Sequence, residues 1–368
     1  MKIPFVDLKT QYNSIKSEID TAIQNVLNET AFVGGKYVKE FEKQFAELYG
    51  VNHVISCANG TDSLYIIMKM LGIGSGDEVI TAANSWISSS ETITQTGAKP
   101  VFVDCHPDYF SSMDETLLEK LITPKTKAVI AVHLHGHMLQ INTIKEICDK
   151  CGIALIEDCA QSHFSSLNGK RAGTFGIAGS FSFYPGKNLG AYGDAGCIIS
   201  DNDMFAEKCR MFANHGSLKK HEHQIEGINS RLDGMQAAIL SAKLPHILKW
   251  TNERIRVANT YSKFLSVNPI IKTHPLRENS VHSYHLYIIC CEKRNELKEY
   301  LSNNGVETAL HYPVILPLLP AYSYLGCNES DFPNSHKYQQ TCLSLPIFPE
   351  MTEEQIEFVA AKVNEFTN

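Results

Sequence analysis

The chain has 368 residues, enough for two domains, and 43% hydrophobic with 20% charged residues is the composition of a globular protein with a sizeable core. A formal net charge of −7 offers no overall attraction for nucleic acid or an anionic membrane, so an anionic ligand needs local donors. No apolar run reaches the ~18 residues of a membrane span, and "MKIPFVDLKTQY" has no signal-peptide pattern, so a cytoplasmic protein is expected.

Between about residues 50 and 200, short apolar runs alternate with amphipathic segments. The predicted strands are "HVISCA" (53–58), "EVITAA" (78–83), "KPVFVD" (99–104), "KAVIAVHL" (127–134), "IALIED" (153–158), "AGSFSFY" (178–184) and "AGCIIS" (195–200). "TDSLYIIMKMLG", "SWISSSETITQTG", "MDETLLEKLI" and "LQINTIKEICDKCG" read as the helices between them. This alternation implies an α/β fold with a mostly parallel sheet, whose ligands bind at the carboxyl ends of the strands. "GIGSG" (72–76) precedes a strand and reads as a turn. The stretch 227–265 reads as one long helical pattern. Beyond it, "SVHSYHLYIICC", "KRNELKEYLSNNG", a Pro-rich "HYPVILPLLPAY" and "TEEQIEFVAAKVNEF" suggest a smaller α+β unit. The expected division is 1–245 for a large domain and 246–368 for a C-terminal one. The polar loop 215–227 is the expected mobile surface.

The 11 cysteines, an odd number, lie largely in apolar runs and read as reduced thiols. Cys148 and Cys151 form a CxxC at a helix end, but no second CxxC completes a zinc site. His133, His135 and His137 in "VHLHGHM" alternate on what reads as one face of a strand end. No carboxylate or cysteine accompanies them at ligand spacing, so no metal is expected.

Chemistry concentrates at the strand ends. Asp158 ends one strand, and Lys187 follows another in the bend Tyr184-Pro185-Gly186-Lys187-Asn188. A carboxylate and an amine there could be an ordinary ion pair. Three further features favour a pocket. "ANGTDSL" puts Gly60 and Thr61 at a helix start, where free N–H groups and the dipole favour phosphate. Ser182 shares the strand of the lysine. Trp86, one of two tryptophans, follows a strand end and can stack on a flat ring. Phosphate cradle, aromatic plate, carboxylate and amine together describe a site for pyridoxal 5′-phosphate.

"ANGTDSL", "IEDCAQSHFSS", "SFSFYPGKNLGAYGDAG" and "INSRLDGMQAAIL" resemble the motifs of the DegT/DnrJ/StrS family of nucleotide-sugar aminotransferases. The resemblance implies a fold type I aminotransferase, a homodimer with sites at the subunit interface, and L-glutamate as amino donor. It implies that Lys187 links covalently to the cofactor, that Asp158 pairs with the pyridine nitrogen and that Gln161 lies near the ring hydroxyl. Gly60, Thr61 and Ser182 match phosphate contacts, Asn229 an asparagine from the partner subunit, and Trp86 the stacking aromatic. Tyr184, Lys219, His311 and Tyr312 are candidates for the nucleotide-sugar substrate. "YPGKNLGAYGDAG" resembles members that aminate C3 of a dTDP-3-keto-6-deoxyhexose more than those that aminate C4. The alternatives are a UDP- or dTDP-4-keto sugar 4-aminotransferase, a sugar dehydratase of the same fold, which has histidine in place of the lysine, or a non-enzymatic regulator. One departure stands out: where the family often shows "PxH" after "HYP", Pro317 lies near the place of the histidine.

Overall fold

The computed structural model describes residues 1–110 and 112–366. All seven predicted strands form, each within two residues of its expected ends: β1 His53–Cys57, β2 Glu78–Ala82, β3 Lys99–Val103, β4 Thr126–Val132, β5 Ala154–Asp158, β6 Ala178–Ser182 and β7 Gly196–Ser200. They make one sheet in the order β1-β7-β6-β5-β4-β2-β3. The five strands from β3 to β6 pair in parallel. β7 runs antiparallel to both β6 and β1, so β1 points the same way as the parallel set.

The side-chain period of two splits each strand between two cores. Val129 and Ala131 of β4 face one layer, with Phe41 and Phe45 of α1 (Gly35–Tyr49) and Leu240 of a later helix. Ala128, Ile130 and Val132 face the other, with Leu64 and Ile67 of α2 (Gly60–Met70) and Ile93 of α3 (Ser88–Thr96). Helices thus cover both faces, which is why these strands read as continuous apolar runs.

The expected long helix is two. α4 (Gly234–Lys243) ends in a 3-10 turn, Leu244–His246, before α5 (Ile247–Leu265) begins. Pro245 lacks the N–H that an unbroken α-helix would use there. The first core continues to Ile247 and Trp250. A second core gathers Val257, Tyr261 and Leu265 of α5 with a three-stranded antiparallel sheet, Lys272–Thr273, Tyr287–Cys290 and Cys342–Leu345. The helices Arg294–Asn303 and Glu353–Glu365 complete it, the latter opened by a Thr352/Gln355 capping box. Ile3 belongs to this second core, and its N–H donates to Gly305 O at 2.8 Å. The N-terminal segment is therefore stapled to the C-terminal unit, with Phe5 and Val6 carried toward the junction.

The "GIGSG" turn has Gly72 and Gly76 at positive φ, and the polar loop holds a small hairpin, Ser217–Lys219 with Glu222–His223. All 11 cysteines are free thiols, and most are buried. Among the described residues, no helix is long and apolar enough to cross a membrane.

Candidate active site

A cavity of about 800 Å³ opens where the carboxyl ends of β5 and β6 meet the start of α2 and the second core. Gly60, Thr61, Trp86, Asp158, Gln161, Ser182, Tyr184, Lys187, His311 and Tyr312 all line it. Two of the expected residues do not.

The phosphate end is built by close approach. Asn59 caps α2, its Oδ1 accepting from Asp62 N at 2.8 Å. A Cβ on Gly60 would lie 2.7 Å from the Ser182 Cβ, so only glycine lets the helix start sit against β6. The hydroxyls of Thr61 and Ser88 are 2.7 Å apart, which brings in a serine from the "WISSS" segment that the sequence reading passed over. An anion seated there meets free helix N–H groups, the dipole and hydroxyls together.

Lys187 sits on a bend with few degrees of freedom. Its N–H donates to Tyr184 O, and Ala191 N donates to Phe183 O, both at 2.8 Å. A Cβ on Gly190 would lie 2.3 Å from Pro185 O, so the bend can close only on glycine. Asn188 Nδ2 donates to Ser283 O at 2.9 Å, and the buried Lys243 ammonium donates to Gly190 O at 2.7 Å. Burial lowers the Lys187 pKa to about 8, against the opposing pull of the Asp158 charge. Burial also raises the Asp158 carboxyl, countered by its hydrogen bond from Ala160 N at 3.0 Å and by Lys187. Asp158 is thus a desolvated carboxylate with one hydrogen bond, ready for a cationic ring nitrogen.

Gln161 has its orientation set by the backbone. Its Oε1 accepts from His135 N at 2.7 Å, so its NH2 faces the cavity and donates to the Tyr312 hydroxyl at 3.0 Å. The amide expected near a ring hydroxyl is therefore engaged by the phenol of Tyr312. Trp86 is 59% exposed although it lines the cavity, and its ring lies 5.8 Å from that of Tyr312. An exposed indole on the cavity wall, a lone buried carboxylate, an amine whose pKa is lowered to about 8 and a glycine-cleared helix start fit pyridoxal phosphate.

The three histidines do not share a strand face. β4 ends at Val132, and His135 adopts φ 63 within a turn, which sends the rings apart. His135 bonds the Tyr338 hydroxyl at 3.0 Å, and His137 stacks with Tyr109. His133 does meet a carboxylate and a thiol, Glu157 and Cys159, brought beside it by β5. Glu157, however, already accepts from Gly173, Phe175 and Gly176 N–H groups and from His133 Nε2. The Nδ1 of His133 accepts from Leu139 N at 3.2 Å. The chain itself uses these lone pairs.

Lys219 lies on the exposed hairpin, paired with Glu222 and outside the cavity. Asn229 is exposed in a β-bridge with Asn214 and does not line the cavity either. Its neighbour Ser230 is buried, accepting from Ala58 N at 3.1 Å and donating to Asp62 at 2.6 Å. The segment therefore does run along the phosphate end of its own chain, and Asn229 faces outward from it. Phe5, Val6, Arg254 and His285 also line the cavity and were not foreseen. They come from segments far away in sequence that carry no local motif.

The pattern of the DegT/DnrJ/EryC1/StrS aminotransferase family matches residues 13–364. A pleiotropic regulatory protein from Geobacillus stearothermophilus is 42% identical over 368 residues, covering 100% of this chain and 99% of that one. The dTDP-3-amino-3,4,6-trideoxy-alpha-D-glucose transaminase of Streptomyces venezuelae is 37% identical, covering 99% and 96%. The solved structure of S. venezuelae DesV in complex with a ketimine intermediate superposes with a TM-score of 0.97 at 38% identity, covering 99% of this chain and 98% of that one. With the site geometry, these similarities mean that the chain belongs to the DegT/DnrJ/EryC1/StrS family and is a pyridoxal-phosphate-dependent sugar aminotransferase.

Proposed function

We propose that the protein moves the amino group of L-glutamate to C3 of a dTDP-linked 3-keto-6-deoxyhexose, in the cytoplasm, as a homodimer whose partner supplies Asn229 to each site. The carrying observation is the pairing of Lys187 and Asp158 at adjoining strand ends, beside a helix start cleared for phosphate. The transaminase relative of S. venezuelae, named for a dTDP-3-amino sugar, supports the C3 position. Eleven free thiols suit a reducing compartment.

When bound, pyridoxal phosphate supplies an aldehyde that exchanges amines and a ring that takes up electrons from the donor's α-carbon. The chain supplies the rest. With a pKa of about 8, roughly a tenth of Lys187 is neutral at pH 7, against about one in three thousand for a free lysine. That neutral amine can act as nucleophile, and once released it can carry a proton off the donor's α-carbon. The Asp158 carboxylate would hold a proton on the pyridine nitrogen and so keep the ring electron-poor. Gly60, Thr61 and Ser182 would hold the phosphate, and Trp86 would stand beside the ring. The outer contacts, His311, Tyr312 and Tyr184, fall to the nucleotide sugar.

The regulatory name of the Geobacillus relative favours no second mechanism here, because a regulator does not need Lys187 desolvated opposite Asp158. The test is mass spectrometry of products from a panel of dTDP- and UDP-linked 3-keto and 4-keto sugars with L-glutamate. A 3-amino dTDP sugar is expected, with product lost by at least a thousandfold in Lys187→Ala. A 4-amino product would move the reading to the 4-aminotransferases, and no product with any sugar would sink it.

A further inference from the structure

We propose that Arg254 is the carboxylate anchor of the amino donor, reaching the cofactor cavity from the helix that links the two cores. This rests on the aminotransferase reading and names the residue that selects an acidic donor.

Arg254 lies in the first half of α5 and is only 4% exposed, yet it lines the cavity with His285 and Ile347. One nitrogen is in structural use. Nη1 donates to the carbonyls of Ile347 at 3.0 Å, Tyr284 at 3.2 Å and His285 at 3.5 Å. Nε is shielded from solvent without a partner, and Nη2 makes no hydrogen bond among the described residues. No carboxylate among the described residues comes within 4 Å of the guanidinium. Glu350 attracts it only at a distance, and both Glu350 oxygens are themselves without partners. Burial accordingly lowers even this arginine, to about 10.

Holding backbone carbonyls explains Nη1 but not the rest of the fork. A buried donor left unpaired is destabilising, and a lysine could serve the carbonyls without presenting the remaining donors. A guanidinium that lines a ligand cavity with Nη2 unused can give a carboxylate a charge-assisted hydrogen bond.

The charges around the cavity leave no competitor. Among the described side chains that line it, the cations are Lys187, which is the reacting amine, and Arg254. His285 and His311 also line it, but burial pushes the first well below its ordinary value and the second to about 4, so both are neutral at pH 7. The acids Asp62, Asp158 and Asp194 repel a carboxylate. A dicarboxylate amine is therefore drawn to the wall where Arg254 stands, while an uncharged donor gains nothing there.

The experiment titrates the holoenzyme with glutarate, a dicarboxylate that lacks the amine, and follows cofactor absorbance and Trp86 fluorescence. In Arg254→Gln the glutarate dissociation constant should rise at least tenfold, with part recovered in Arg254→Lys. In single turnovers the L-glutamate concentration giving half-maximal conversion should rise by a similar factor, while the limiting rate stays within a few-fold. Because the loss of Nη1 can disturb folding, a second measurement uses the wild-type protein. Glutarate should protect Arg254 from phenylglyoxal, as read by peptide mapping. Unchanged glutarate affinity in a folded Arg254→Gln, or no protection in the wild type, overturns the proposal. If the wild type binds glutarate through Arg254 but fails to react with L-glutamate, the donor named under the proposed function is wrong and the anchor stands.

Discussion

Burial tunes individual side chains here more than charge pairing does. Lys187 is the useful case, lowered to about 8 by desolvation. His163 is the costly one. It packs against the Phe181 and Phe183 rings at 5.4 and 5.6 Å, and the one contact that favours its charged form is with the Ser182 backbone, too poorly aligned to make a full hydrogen bond. Burial lowers it to about 3, and the nearby Lys187 charge acts in the same direction. His274 and His311 are lowered to about 4. For each, the folded pKa lies below the unfolded value near 6.5, so the unfolded chain binds more protons between the two. The stability they contribute is complete above about pH 6.5 and declines as pH falls toward 4 and 3. Urea unfolding from pH 7 to 4 should show this decline. His163→Leu should flatten the slope by about one proton, or about 1.4 kcal/mol per pH unit, between pH 4 and 6. An identical slope in the variant would mean that His163 takes up no extra proton on unfolding.

At the scale of elements, the decisive contact is the start of α2 against β6. Its basis is a missing side chain. Gly60→Ala must push the helix off Ser182, because an approach of 2.7 Å cannot be absorbed by rotating a flexible group. Overpacking of this kind costs roughly 1–3 kcal/mol. The expected outcome is a lower melting temperature and at least tenfold weaker binding of pyridoxal phosphate, with little change for pyridoxal, which lacks the phosphate. Gly74→Ala is the control, since its Cβ would meet only Thr96 O at an ordinary 3.7 Å. Equal losses for both ligands in Gly60→Ala would show that the helix start does not hold the phosphate. The elements themselves were legible because alternation and 3.6-residue periodicity act locally. The break at Pro245 was missed because the apolar pattern runs through it while one N–H is lost.

On the scale of the whole molecule, the inward and outward sides of the 228–230 segment matter. Ser230 turns in toward Ala58 and Asp62, and Asn229 turns out. In a two-fold dimer an outward residue beside one site can serve the other. If Lys187→Ala and Asn229→Ala proteins are unfolded and refolded together, half of the dimers pair unlike chains. In each of these, one site carries both lesions and the other neither, so roughly a quarter of all sites should be intact. Activity recovered toward that level is expected, given an impaired Asn229→Ala parent. If mixed dimers confirmed by mass recover nothing, Asn229 serves its own chain or no site.

By itself, the sequence determined the α/β order, the strand ends that carry Asp158 and Lys187, and the helix start at Gly60. Each depends on residues within one or two turns of chain, where patterning and caps act. Tertiary structure decided the rest. It brought Glu157 to His133 from a neighbouring strand and used up its lone pairs with backbone N–H groups, which no spacing could reveal. It also set Arg254, His285 and Phe5 around one cavity, although they lie on α5, a loop and the N-terminal segment. Convergence across such separations follows from the packing of two cores, and periodicity along the chain carries no record of it.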